Sequence, residues 1–495
     1  MTFAWALFIV YLVGTAWLGY RGFRKTSGFS SFAIGDRAMN PFVVGVTLAA
    51  SVSSASTFII NPGFVYVDGW AAFFHMTVGV GIGFMTMLVL LSFRFRRIGA
   101  DSSALTIPDW IGKRYESPGF ALYFSVLNLL SFAFVVLLVG GISIVMQSLL
   151  GVSNTVALTI TLVFVTGYVF IGGTYAHVLT NMLQGSLMII VTLLVLGSCI
   201  WLSLREPGSL VEALRAADPN LVAAVNAEGS LFNDVFSIYV AGFVVGAIVV
   251  CQPHILTKAL YVKDDRDVKR YLVVFAAIFG LFQLLGSVGF FAHLAVPPEA
   301  LVDTATGEFR QDLVMTKYLA TMFPDWVFTL VGIVLLAAAM STLDGLLVSM
   351  STITANDLVL NLAERRVHHD QEQQMAFALK VSHIVLVVIA VAAFLINLQP
   401  PKLLGIFGQT GVYGLTAATA PPLLLGVLFR RVPVGLVWCG SAAALVIHFV
   451  LFFKGAAIFP GATLTFANPG VTVSLATLVV LPILLVAAAV LQSRR

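Results

Sequence analysis

This chain is poor in charge: Asp, Glu, Lys and Arg together make up 10% of 495 residues, while 59% are hydrophobic. Ordinary soluble domains carry about 25% charge, so this composition excludes a water-soluble fold and implies a polytopic membrane protein. Cysteine is scarcer still. The three present, Cys199, Cys251 and Cys439, lie in or beside apolar runs with no CxxC or zinc spacing, which makes them packing residues. No HExxH, Walker lysine motif or GxSxG occurs, so no enzymatic site is expected. Gly79, Gly81 and Gly83 sit inside an apolar run, where small residues serve close helix packing rather than nucleotide binding.

What the chain does have is long apolar segments. Runs of the roughly 20 residues needed to cross a ~30 Å hydrocarbon core begin near Phe3, Pro41, Gly69, Pro118, Thr155, His177, Val235, Tyr271, Trp326, Met375, Leu403, Val434 and Val471. That pattern predicts an all-α polytopic membrane protein with about thirteen transmembrane helices. Putting the N-terminus outside and the C-terminus in the cytoplasm assigns 21 of the 27 Lys and Arg residues to the cytoplasmic side. Only Arg205, Arg215, Arg310, Lys317, Lys402 and Lys454 then remain outside. The first span has no basic residue before it and is read as retained rather than cleaved. No Lys or Arg is expected deep in any span.

Asp344 is read as the only carboxylate inside any long apolar run, in Ala337-Ala338-Ala339-Met340-Ser341-Thr342-Leu343-Asp344-Gly345. An ionised group at mid-membrane costs roughly 2.5–3.5 kcal/mol on insertion scales and normally meets a partner, an ion or water. Ala338, Ser341 and Thr342 follow i, i+3, i+4 spacing and share a helical face, an oxygen-rich patch suited to a small hard cation. The alternative is a Ser/Thr pair bonded back to its own helix, with the carboxylate held by a neighbour.

Two apolar runs are interrupted. One passes through Ala50, Ser51, Ser53, Ser54, Ser56 and Thr57 to Asn61-Pro62-Gly63; the other contains Gly242, Gly246 and then Cys251-Gln252-Pro253-His254. Broken helices at matching positions of two halves point to an inverted-repeat transporter with its site near the bilayer midplane. A Ser-rich packing seam and an ordinary proline kink are the alternative.

Five landmarks carry a resemblance along nearly the whole chain. They are Phe32-Ala33-Ile34-Gly35-Asp36-Arg37; Ala50 to Gly63; Gly172-Gly173-Thr174-Tyr175-Ala176-His177 running on through Asn181 to Gln184-Gly185; Gln252-Pro253 with Lys258; and Met340-Ser341-Thr342. With these, the chain resembles the sodium:solute symporter family. The resemblance implies thirteen helices with a LeuT-like core, an inverted five-plus-five helix repeat. The implied division is 1–40 as an extra helix and cytoplasmic loop, 41–203 and 204–428 as the two repeats, and 429–495 as two further helices. It also implies a sodium ion held by the carbonyls of Ala50, Ser53 and Ala338 and the hydroxyls of Ser341 and Thr342. Solute would lie beside Ser54, Ser56 and Thr57, with Gln252 and Gln409 lining the site. His75 is a further candidate, its alternative being a helix-to-helix hydrogen bond.

Gln252-Pro253-His254, Lys258 and Tyr261-Val262-Lys263-Asp264 look most like the pantothenate and monocarboxylate branch. The implied activity is sodium-coupled symport of such an anion into the cell across the inner membrane. A proton-coupled carrier, a symporter of an amino acid, sugar or other neutral solute, and a transporter-like sensor are the alternatives. The expected partners are a small-molecule solute and the lipid bilayer, with no nucleic acid and no obligatory protein. One departure is notable: many relatives carry Asp where this chain has Asn181, and there it helps hold an additional sodium. Here the acid stands at Asp344 on the other helix, so Asn181 and Asp344 are expected to face each other and to serve a second sodium or a proton. A plain Asp–Asn hydrogen bond is the alternative.

Overall fold

Pro41 opens the first interrupted helix because its ring presets a helical φ and its missing N–H has no partner to lose at that position. Asn40 caps it, accepting a hydrogen bond from the Phe42 amide at 2.9 Å. The helix runs over Pro41–Val52 and stops where Ser53 takes φ −86°, ψ 75°; the chain resumes as a wide helical turn over Ser56–Ile60. The computed structural model describes residues 2–54, 56–205, 208–229, 231–302, 307, 309–361, 371–401 and 404–493. Among these the regular structure is helical, apart from one isolated bridge between Val302 and Phe309.

Ten of the described helices are long and apolar enough to cross a bilayer, or eleven if the bent pair Phe236–Val249 and Pro253–Tyr261 is one span. Two of them are too long for a single crossing, at 46 and 52 residues. A straight helix of the second length would run roughly 78 Å, over twice a ~30 Å core. Each contains a left-handed glycine, Gly69 at φ 61° and Gly173 at φ 48°. Dividing them there, and joining Pro41–Val52 to the segment beyond its break, is how the thirteen expected spans would map onto the structure. At Gly173 the backbone sign alone favours glycine, and a Cβ would also stand 2.5 Å from the Phe32 ring.

The second interruption has a different cause. Gln252 is extended (φ −67°, ψ 139°) ahead of Pro253, and the Pro253–Tyr261 segment turns 64° from the helix before it. This segment stays inside: His254, Thr257, Lys258 and Tyr261 are all buried. The Asp325–Ile353 helix is enclosed on every side, with each residue from Val331 to Val348 buried. Apolar residues occupy every side of it, as expected of an interior helix of a membrane bundle, with Ser341, Thr342 and Asp344 as polar interruptions. At the periphery, Ile9, Val10, Val13 and Trp17 of Thr2–Phe23 are more than half exposed, the signature of a lipid-facing helix.

Arginines tie the basic loops together on one face. Arg94 donates to the Val427 carbonyl at 2.9 Å, Arg114 to that of Gly426 at 2.8 Å, Arg37 to that of Ala104 at 2.6 Å, and Arg96 pairs with Asp265 at 2.6 Å. In the glycine run, Gly79 lies against Gly242 and Gly83 against Phe243, which is the close packing expected of them; Gly81 has open space beside it.

Candidate functional site

The break after Val52 lies against the middle of the Asp325–Ile353 helix, and hydroxyls of that helix reach freed carbonyls across the gap. Ser341 Oγ is 2.9 Å from the Ala50 carbonyl and 2.8 Å from that of Ala338, and Thr342 Oγ1 donates to the Ser51 carbonyl at 2.9 Å. Ala50, Ala338, Ser341 and Thr342 are thus drawn together, all at most 1% exposed. Ser53 is buried beside them, and its hydroxyl has no hydrogen-bond partner. Closely spaced oxygens, among them the Ala50 and Ser51 carbonyls at the end of the broken helix, form a donor set that fits a hard monovalent cation.

Asp344 lies one turn further along and is fully buried. It accepts from His177 Nδ1 at 2.8 Å, from Tyr168 at 3.0 Å and from Thr180 at 3.2 Å. Asn181 is not among its partners. Instead Asn181 Nδ2 donates to the Ser341 carbonyl at 2.8 Å and to Ser51 Oγ at 2.9 Å, so the expected Asn181–Asp344 pair does not form a hydrogen bond. The physical reason is axial register: His177 and Asn181 share a helical face one turn apart, and the turn carrying His177 is the one level with Asp344.

Lys258 corrects a second expectation. It is only 1% exposed, deep within the bundle, and donates to Ser51 Oγ at 3.0 Å and the His254 carbonyl at 3.1 Å, with His177 Nε2 at 3.0 Å. Nor is Asp344 the sole enclosed carboxylate: Asp68 and Asp357 are each 1% exposed, Asp357 accepting from Thr106.

The expected solute-side residues are more scattered. Ser54 and Thr57 are buried at the break, where Ser54 Oγ accepts from the half-buried Ser56's amide at 3.3 Å. Gln252 is buried at the second break, its Oε1 without a donor. Gln409 is half-buried on the Leu404–Leu428 helix. His75 takes the structural alternative, with Nδ1 2.6 Å from the Ser237 carbonyl on the neighbouring helix. A narrow cleft lined by His177, His254, Thr257, Tyr261, Ser349 and Thr352 separates Pro253–Tyr261 from the Asp325–Ile353 helix and reaches Thr106 near the basic face.

The residues missed from sequence are Ser51, Tyr168, His177, Thr180 and Lys258. A readable signal existed for part of the set, because His177, Thr180, Asn181 and Gln184 follow i, i+3, i+4, i+7 and make one polar stripe on an otherwise apolar helix.

Two broken spans meeting a fully enclosed helix around buried oxygens define a membrane carrier of the LeuT-like class. The model of the sodium:solute symporter family matches residues 32–440, and the chain belongs to that family. It is 27% identical over 430 residues to a sodium/pantothenate symporter of Haemophilus influenzae, covering 86% of this chain and 84% of that one. It is 26% identical to a sodium/proline symporter of Escherichia coli, covering 86% and 82%. Among solved structures, a substrate-bound, outward-open Na+-coupled sialic acid symporter superposes with a TM-score of 0.74 over 97% of both chains, at 17% identity. At that identity the likeness establishes the fold alone. The protein is therefore a multi-pass transporter of the symporter type.

Proposed function

We propose that the protein imports a small monocarboxylate of the pantothenate type together with sodium across the inner membrane, its N-terminus outside and C-terminus in the cytoplasm. The observation that carries the sodium part is the Ser341 hydroxyl, whose oxygen lies 2.9 Å from the Ala50 carbonyl oxygen across the break and 2.8 Å from that of Ala338. In this reading Ala50, Ser53 and Ala338 give carbonyls and Ser341 and Thr342 give hydroxyls. The ion joins two elements that also share the Ser341–Ala50 and Thr342–Ser51 hydrogen bonds, and so favours the arrangement that receives solute. The two repeats, 41–203 and 204–428, each contribute one broken helix. The solute part is supported by the sodium/pantothenate symporter relatives. Ser54, Ser56, Thr57, Gln252 and Gln409 supply hydroxyls, amides and freed backbone groups to a carboxylate. Lys258 is committed elsewhere, to Ser51 and His177.

Proteoliposomes test the reading directly. Radiolabelled pantothenate, lactate, proline and glucose are offered with an inward sodium gradient or with choline in its place. Uptake of a monocarboxylate only with sodium is the expected result. Equal uptake in choline would overturn sodium coupling, and sodium-driven uptake of proline or glucose alone would overturn the solute class.

A further inference from the structure

A buried ammonium or carboxylate left alone costs several kcal/mol, so each must be matched inside the bundle. Lys258 and Asp344 are matched through one imidazole: Asp344 Oδ1 is 2.8 Å from His177 Nδ1, and Lys258 Nζ is 3.0 Å from His177 Nε2. A neutral His177 with its proton on Nδ1 satisfies both contacts at once, donating to the carboxylate and accepting from the ammonium. The three side chains are each at most 1% exposed.

The position of the ammonium is the second observation. Its hydroxyl partner, Ser51 Oγ, also accepts from Asn181, and the Ser51 carbonyl accepts from Thr342. Lys258 therefore reaches the broken helix one residue beyond Ala50, beside the proposed sodium cage. Around Nζ stand a hydroxyl oxygen, the His254 carbonyl oxygen and an imidazole nitrogen, a neutral donor set with Asp344 one ring away. Asn181 Oδ1 is buried nearby without a donor. A free cation could use those same groups if the ammonium were gone.

We propose that Lys258 is a tethered cation: its ammonium occupies the place a second coupling ion would take, so that the protein binds a single sodium. This rests on the sodium reading of the Ala50–Ser341 cage, and the experiment separates the two. Radioactive sodium bound per protein is counted at saturation, without solute, on purified protein in nanodiscs. Wild type is expected to bind one ion, Lys258→Met two, and Lys258→Met combined with Asp344→Asn one. No sodium on wild type would sink the cage itself, whereas two on wild type would sink the tether alone. One ion on a folded Lys258→Met would also overturn it. Should that variant not fold, the double variant, which leaves neither charge unpaired, is expected to fold and bind one ion. Failure of both to fold would make Lys258 a packing residue and end the proposal.

Discussion

Removing the Ser341 hydroxyl is the sharpest perturbation of the proposed cage, because that single atom is within 2.9 Å of Ala50 O and 2.8 Å of Ala338 O. In Ser341→Ala a cation loses one of five oxygen ligands, a contact worth about 1.5–3 kcal/mol if it is comparable to a hydrogen bond with a charged group. Against this, the ion-free protein loses ordinary hydrogen bonds of about 0.5–1.5 kcal/mol net. The difference, about 1–1.5 kcal/mol, raises the half-saturating sodium concentration roughly five- to twelve-fold. The assay is sodium titration of the purified variant by scintillation proximity, with size-exclusion elution and melting temperature recorded on the same sample. Thr342→Ala should behave alike, since its hydroxyl meets the next carbonyl, that of Ser51. A well-folded Ser341→Ala whose half-saturating sodium stays within twofold of wild type would refute the cage.

Gly173→Ala should fold poorly, because a left-handed non-glycine residue costs roughly 1–2 kcal/mol and its Cβ meets the Phe32 ring at 2.5 Å; Gly167→Ala, with nothing within 4 Å, should melt like wild type. Asn181→Asp should lower the melting temperature, since both of its amide hydrogen bonds, to Ser51 and Ser341, are lost in a buried place; a variant melting at or above wild type would contradict the assigned donors. For topology, exposed Glu299→Cys should react with an impermeant maleimide added outside intact cells, and exposed Arg430→Cys should not; the opposite pattern would invert the orientation. His368, which the same orientation places inside, lies outside the described residues.

How much of this was legible depends on what each residue signals locally. A carboxylate in an apolar run is conspicuous by itself, so Asp344 was readable, and the i, i+3, i+4 pattern of Ala338, Ser341 and Thr342 survives because their helix is regular over its length. The breaks were readable too, from Ser-rich sequence before Asn61-Pro62 and from Gln252-Pro253. What spacing could not give was the crossing partner. Helical phase fixes a direction around one axis, but which turn of a second helix stands there depends on how the two are shifted along each other. The single turn between Asn181 and His177 decides whether Asp344 meets an amide or an imidazole linked to an ammonium. Lys258 was hidden for a related reason. Hydropathy treats a Gln-Pro-His sequence as the end of a span, whereas the 64° bend there keeps the following segment within the bundle. A lysine counted with the cytoplasmic loops is then an interior charge. Among the described basic residues set on that side, it is the one whose meaning the fold reverses, and the orientation argument survives its removal.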